Sequence, residues 1–109
     1  MQDMLTIDVV PDRDHVTLRL TGEIDTYTAQ SVRNAALDAM REHDADIRID
    51  LSGVTFLDAS GLEVLLATRR RAQLEGGQLE LLDPTRTVVR VLEVTGVRQL
   101  FGPAPSTTG

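Results

Sequence analysis

The feature that most constrains the fold of this chain is an alternation of apolar and polar residues in four short segments. The segments cover residues 4–10, 15–20, 47–51 and 79–81, and aliphatic side chains take every second position in each. Such alternation predicts strands with one buried and one solvated face, whereas strands covered on both faces are apolar throughout. We therefore predict a two-layer α/β fold, in which a mixed four-stranded sheet carries three to four helices on one face.

Helical periodicity fills most of the remaining chain, in the order ββαβαβα. Residues 21–25 (TGEID) are interpreted as leaving the second strand and leading to a helix, and the pair at residues 52–53 as a break after the third strand. The predicted helices run from Asp25 or Thr26 to residues 41–43, from Asp58 to about residue 74, and from residues 83–85 to 96, with one further turn to 101.

Charge and residue usage exclude several classes of function. The chain carries 17 acidic and 11 basic residues, and its net charge of −6 argues against nucleic acid as the main partner. It has no cysteine, which excludes disulfides, thiolate metal sites and cysteine nucleophiles. Every basic residue is an arginine, and the absence of lysine removes P-loop nucleotide binding and Schiff-base chemistry. We expect no cofactor and no metal.

The length of 109 residues fits one domain, which we place at residues 1–103, followed by a flexible tail at 104–109. No apolar run is long enough to span a membrane, and the N-terminus lacks the pattern of a secretion signal. We expect a cytoplasmic protein without a membrane partner. The polar face of the sheet favours a monomer, although the first strand has an edge that can pair.

The junction between the third strand and the second helix, residues 57–62 (LDASGL), carries the main candidate site. Asp58 stands where an N-cap belongs, and Leu57 and Leu62 have the spacing of a hydrophobic staple. Ser60 then lies in the first turn, at the positive end of the helix dipole, where free backbone N–H groups favour an attached phosphate. From the local residues alone, a first-turn serine without any function is an equally ordinary explanation.

Enzymatic alternatives have weak support. His15 and His43 have no catalytic partner nearby in sequence, and no Gly-x-Ser-x-Gly elbow surrounds Ser60. A phosphate receiver built on Asp50 would lack its usual lysine, so this carboxylate is better explained as an exposed strand residue. These observations leave the Ser60 hydroxyl more plausible as a modified group than as a nucleophile.

Three segments together resemble one protein family. Residues 49–62 (IDLSGVTFLDASGL) resemble the central motif of STAS domains, and of anti-sigma factor antagonists in particular. Residues 22–25 (GEID) resemble the segment before the first helix of that family, and residues 94–97 (VTGV) resemble its C-terminal helix ending. The similarity covers about residues 4–101 in order, and the family fold that it implies agrees with the two-layer prediction.

The resemblance implies a binding switch rather than an enzyme. In that family, an anti-sigma factor that is itself an ATP-using serine kinase phosphorylates the serine that corresponds to Ser60. The unphosphorylated antagonist binds the anti-sigma factor and frees a sigma factor. Phosphorylation disables that binding, and a serine phosphatase restores it by removing the phosphate. Transferred to this chain, the phosphorylation site is Ser60, and the expected partner-binding residues are Asp25, Asp58, Ala59, Gly61, Leu62 and Glu63.

Two residues depart from the family pattern. Ala59 replaces a second serine that many relatives have, so Ser60 is the only hydroxyl within residues 58–62. Glu63 replaces a common glycine one helical turn past Ser60, where its charge opposes a phosphate. The alternative function is a STAS adaptor in a transport or signalling complex, which would bind a non-kinase partner regardless of the state of Ser60.

Overall fold

The computed structural model of the chain describes residues 4–101. Its elements follow the predicted order, with a short fourth helix at the end. The strands are β1 (Leu5–Pro11), β2 (Val16–Ile24), β3 (Ile47–Leu57) and β4 (Leu79–Leu82), and the helices are α1 (Ala29–Glu42), α2 (Ala59–Leu74), α3 (Arg86–Val94) and α4 (Arg98–Phe101). The predicted end of the domain at residue 103 and the predicted tail, 104–109, lie outside the described residues.

The four strands form one mixed sheet in the order β1-β2-β3-β4. β1 pairs antiparallel with β2, whereas β2 and β3, and β3 and β4, pair in parallel. A turn closed by a hydrogen bond from Asp12 N to His15 O joins the first two strands. The parallel pairs are connected through α1 and α2, so the predicted hairpin and strand–helix–strand units are confirmed.

The alternation in the strands matches the burial of their side chains. Val16, Leu18 and Leu20 of β2 are fully buried, and Ile47, Ile49 and Leu51 of β3 lie beside them in the core. The residues between them face the other side of the sheet, where ion pairs join Arg19 to Asp50 and Arg48 to Glu80. One face of the sheet is therefore covered by helices and the other is open, as the alternation predicted.

Both central strands continue beyond their predicted ends: β2 runs past residue 20 to Ile24, and β3 runs through the predicted break at residues 52–53 to Leu57. Gly22 has φ +121°, and a Cβ there would lie 2.1 Å from the carbonyl oxygen of Met4, so β1 and β2 approach closely at this glycine. Register shifts between β2 and β3 at Arg19/Thr21 and Gly22/Glu23 absorb the irregular residues without ending the pairing. The parallel pair thus extends to Ile24 and Leu57.

The ends of the helices follow their predicted caps, with one exception. Thr85 caps α3, and its hydroxyl also donates to Val54 O at 2.8 Å, which ties this helix to β3. Arg69 Nε donates to Leu100 O at 2.7 Å and fastens α4 to α2. α1 begins at Ala29, later than predicted, because a capped turn precedes it. Within residues 4–101, no helix has both the length and the hydropathy that a membrane span requires.

Candidate functional site

The candidate site lies at the carboxyl ends of the two central parallel strands. Ile24 and Leu57, the last residues of β2 and β3, are partners in the strand register. Asp25 and Asp58 follow them directly, and the backbone N–H of Asp58 donates to Ile24 O at 3.2 Å. Since parallel strands end at the same edge of a sheet, two segments that are distant in sequence meet here.

The N-terminus of α2 is held tightly against this edge. Asp58 has an extended backbone conformation, and its carboxylate accepts a hydrogen bond from Gly61 N at 3.1 Å. A Cβ on Gly61 would lie 2.5 Å from Leu57 Cδ1 and 2.9 Å from Ile24 O, so only glycine fits the approach of the helix to β2. Leu57 and Leu62 are both buried, as the staple spacing predicted.

The segment after β2 forms a capped turn instead of a helix. Asp25 Oδ1 accepts hydrogen bonds from the backbone N–H groups of Tyr27 and Thr28, at 2.9 and 3.0 Å. Thr28 Oγ1 donates to Glu23 O at 2.8 Å, and Ala29 N donates to Asp25 O at 2.8 Å. The prediction that Asp25 or Thr26 caps the first helix was therefore wrong: Asp25 caps the turn, and Thr28 holds the N-cap position of α1.

The two segments bring two hydroxyl groups together. Ser60 Oγ lies 3.1 Å from Thr26 Oγ1, within hydrogen-bonding distance, and either atom can be the donor. Ser60 is half-buried and Thr26 is exposed. Both residues line a groove of about 400 Å³ between α1 and α2, together with Ala29, Gln30, Arg33, Glu63, Val64 and Ala67.

The structure distributes the six predicted partner-binding residues between surface and interior. Ala59 and Glu63 are exposed on the first turns of α2, and Asp25 and Asp58 are half-buried because their carboxylates cap backbone N–H groups. Gly61 and Leu62 are buried, with Leu62 only 8% exposed. These two residues therefore shape the surface from beneath and offer little side-chain area to a partner.

Sequence reasoning missed two residues of this surface. It considered Thr26 only as a helix cap, and it did not consider Tyr27, which is 90% exposed on the turn beside it. The polar turn signal at Asp25 was readable, since an aspartate there can accept from the next N–H groups. Nothing in the local sequence showed that Thr26 meets Ser60, because 34 residues separate them.

The two histidines lie away from Ser60. His15 precedes β2 and His43 follows α1, so both lie at the opposite end of the sheet from Ser60. His15 contacts Asp14 at 3.2 Å and Arg48 at 3.4 Å instead. Across the described part of the chain, no group of three or more histidine, aspartate or glutamate side chains is placed to hold a metal ion.

Asp50, the alternative phosphate receiver, lies on the open face of the sheet. Its carboxylate accepts from Ser52 N at 2.9 Å and pairs with Arg19 at 3.4 Å. The hydrogen bond from the Ser52 backbone, opposed by partial burial and assisted by Arg19, holds the pKa of this carboxyl below its ordinary value. These contacts assign Asp50 a structural role on the polar face of the sheet, although it is half-buried there and not exposed as predicted.

Comparisons with known proteins agree on one family. The family described as "Mlab, STAS domain" matches residues 7–102. The anti-sigma-B factor antagonist of Bacillus subtilis (strain 168) is 30% identical over 97 residues, which cover 89% of this chain and 88% of that protein. The crystal structure of an anti-sigma factor antagonist from Mycobacterium paratuberculosis, 27% identical, superposes with a TM-score of 0.80 over 94% of this chain and 86% of that one.

The fold also matches SpoIIAA, an anti-sigma factor antagonist and Bacillus cell-fate determinant. Its unphosphorylated form superposes with a TM-score of 0.75 at 24% identity, covering 93% of this chain and 90% of SpoIIAA. Its phosphorylated form gives 0.70 at 23% identity, covering 93% of each chain. At this identity the likeness establishes the fold.

Proposed function

This chain belongs to the STAS domain family, and we propose that it is an anti-sigma factor antagonist whose binding is switched by phosphorylation of Ser60. Relatives named as antagonists of anti-sigma-B and anti-sigma-F factors span nearly its whole described length and most of their own. Unphosphorylated, the chain binds an anti-sigma factor that is also an ATP-using serine kinase, and a sigma factor is released. A serine phosphatase reverses the modification.

The observation that carries this proposal is the position of the Ser60 hydroxyl. It lies in the first turn of α2 and lines the groove between α1 and α2. Its helix is fixed to the sheet by Asp58 and Gly61. In the transfer, a bond forms between Ser60 Oγ and the γ-phosphorus of ATP, and the bond to the ADP oxygen breaks. The Ser60 proton passes to a base on the kinase.

The charges around Ser60 explain how one phosphate can abolish binding. The modification adds about −1.5 to −2 charge beside Asp58 and Glu63, within a chain whose net charge is already −6. The N-terminus of α2 stabilises the phosphate locally, by about 0.3–1 kcal/mol. A partner surface that fits a neutral hydroxyl suffers repulsion and desolvation, and a loss of about 3–4 kcal/mol weakens binding by hundreds-fold.

The proposed partner surface consists of Asp25, Asp58, Ala59 and Glu63 around Ser60, supported from beneath by Gly61 and Leu62. The chain then acts as a kinase substrate and binding protein, with no catalysis of its own. Because the kinase draws on ATP, we place the chain in the cytoplasm. We also propose a monomer, since ion pairs and polar side chains occupy the open face of the sheet.

The proposal is tested by phosphopeptide mass spectrometry on the protein isolated from its own cells, where we expect phosphate on Ser60. In titrations against the purified anti-sigma factor of the same organism, Ser60→Ala should bind as the unmodified chain does. Ser60→Asp should bind at least a hundredfold more weakly. Thr87→Asp, which adds the same charge at an exposed position of α3, is the matched control and should bind normally.

The second candidate function, a STAS adaptor without a kinase cycle, predicts different results. Such an adaptor would carry no phosphate on Ser60, and its partner would bind Ser60→Asp and the unmodified chain equally well. Equal binding of these two variants would therefore reject the phosphorylation switch in favour of the adaptor.

A further inference from the structure

Thr26 and Ser60 are carried by two separately fixed parts of the molecule. The turn that presents Thr26 is closed by Asp25 Oδ1, which accepts from the N–H groups of Tyr27 and Thr28. The helix that presents Ser60 is fixed by Asp58 and by the close packing of Gly61 on β2. The backbone that carries each residue is therefore held in place, and the two hydroxyl oxygens lie 3.1 Å apart.

We infer that Thr26 is the positioning residue of the Ser60 hydroxyl, donating a hydrogen bond to Ser60 Oγ and, after modification, to its phosphate. This inference rests on the proposed function, in which Ser60 receives the phosphate. It deepens that function by assigning a second hydroxyl to the same site.

The direction of the hydrogen bond follows from what the reaction needs. A hydroxyl has one proton to donate and two lone pairs that accept. When Thr26 donates, Ser60 keeps its own proton available for a base on the kinase and one lone pair for the attack on phosphorus. The Thr26 hydrogen bond also restricts the rotation of the Ser60 hydroxyl, which belongs to a residue that lines the groove.

The charges around Ser60 explain why a hydrogen bond from the Thr26 hydroxyl would stabilise a phosphate there. The neighbouring carboxylates of Asp58 and Glu63 repel an anion, and the Asp25 carboxylate is already occupied by backbone N–H groups. Arg33 lies in the same groove and contributes a positive charge. Thr26 is the neutral donor next to Ser60 Oγ, and hydrogen bonds to a charged phosphate are stronger than those between neutral groups.

The test needs no kinase. Phosphoserine is installed at position 60 of the full chain by genetic code expansion, and the phosphate is titrated by phosphorus-31 NMR. The same measurement is made with Thr26→Val, which keeps the shape and removes the hydroxyl, and with Thr26→Ser, which restores it. Thr6→Val, at an exposed position on the open face of the sheet, is the matched control.

We expect Thr26→Val to raise the second pKa of the phosphate by about 0.5, since a lost donor disfavours the doubly charged form. Thr26→Ser should return to the value of the unmodified sequence, and Thr6→Val should not change it. An unchanged pKa in Thr26→Val, or an equal rise in Thr26→Val and Thr26→Ser, would overturn the inference. Thr26→Ala, expected to behave as Thr26→Val, guards against an effect of the valine side chain.

The outcome is separate from that of the proposed function. Because the phosphate is introduced during synthesis, the titration reports the Thr26 contact whether or not any kinase modifies Ser60. A chain that carries no phosphate in its own cells but shows the pKa rise would reject the switch and keep the positioning role. A chain that is phosphorylated in its own cells but shows no rise in the pKa would support the switch and reject the positioning role of Thr26.

Discussion

The two segments that follow β2 and β3 begin alike and continue differently. Each opens with an aspartate whose carboxylate accepts hydrogen bonds from the backbone. Asp25 accepts from the N–H groups of residues 27 and 28, and Asp58 accepts from that of residue 61. After Asp58 the helix starts at once, at Ala59, whereas after Asp25 a turn intervenes and α1 starts only at Ala29. An aspartate that caps backbone N–H groups can therefore be followed either directly by a helix or by a turn that projects from the sheet.

Gly61 explains much of this difference. With no side chain, it lets α2 begin directly against Ile24 and Leu57, whereas the segment after β2 has no glycine at the equivalent distance. The helix terminus is therefore packed onto the sheet and the turn stands out from it, with Tyr27 almost fully exposed. We therefore expect the start of α2 to be sensitive to added side-chain volume, and the turn after β2 to be sensitive to the loss of hydrogen bonds.

The largest effect is expected from Gly61→Ala. The added Cβ would lie 2.9 Å from a backbone oxygen and 2.5 Å from Leu57 Cδ1, so the helix must move away from the sheet. We expect a loss of about 2–3 kcal/mol in the free energy of unfolding, measured by urea denaturation. Ser60→Ala at the preceding position should change it by less than about 0.5 kcal/mol. Equal stability of Gly61→Ala and the natural sequence would show that α2 is not tightly packed here.

Asp25→Ala should follow in size. The substitution removes the carboxylate that accepts from Tyr27 N–H, and it leaves Thr28 N–H with only its 3.2 Å contact to the backbone oxygen of residue 25. We expect about 2 kcal/mol of lost stability in the same assay, and faster amide hydrogen exchange at residues 27 and 28. Unchanged exchange at these amides would mean that the turn holds its shape without the carboxylate.

Asp58→Ala should cost less stability than Asp25→Ala. Among the described residues, the Asp58 carboxylate accepts from one N–H group, that of Gly61, and the close packing of α2 on β2 remains. We expect about 1 kcal/mol, the ordinary effect of a lost N-cap. If Asp58→Ala destabilised the chain more than Asp25→Ala did, the start of α2 would depend on its capping hydrogen bond more than the turn after β2 does.

Tyr27→Ala should have the smallest effect on folding, below about 0.5 kcal/mol, because the side chain is 90% exposed. Under the proposed function it should nevertheless weaken binding to the anti-sigma factor by roughly tenfold, since exposed tyrosines beside a binding site are frequent anchors. Leu74→Ala, at an apolar side chain 76% exposed at the other end of α2, is the control and should bind normally. Similar binding by both variants would place the turn outside the interface.

The comparison also shows which parts of the fold were predictable. The alternation in residues 16–20 and 47–51 predicted the sheet and its covered face, because side chains on a pleated strand must point to opposite sides. The caps at Asp58 and Thr85 were readable from residue type and spacing. The ends of β2 and β3 were not, because the irregular pairing near Gly22 and Gly53 interrupts the alternation without ending the strands.

The site itself was only half predictable, for a physical reason. The place of Ser60 in the first turn of α2 is a local property, set by Asp58 and by the apolar residues that follow. Its contact with Thr26 depends on the parallel register that makes Ile24 and Leu57 neighbours. Local pattern carries no information about that register, which the packing of the whole sheet determines.

The joining of these two strand ends has a consequence for what a modifying enzyme can recognise. The hydroxyl pair is assembled from residues 34 positions apart, so it forms only after the parallel strands have paired in the native chain. A synthetic peptide that copies residues 57–63 lacks Thr26. A chain still emerging from the ribosome has not yet brought Thr26 and Ser60 together. Under the proposed function, the kinase therefore recognises the folded chain as well as its local sequence, and only folded molecules are phosphorylated.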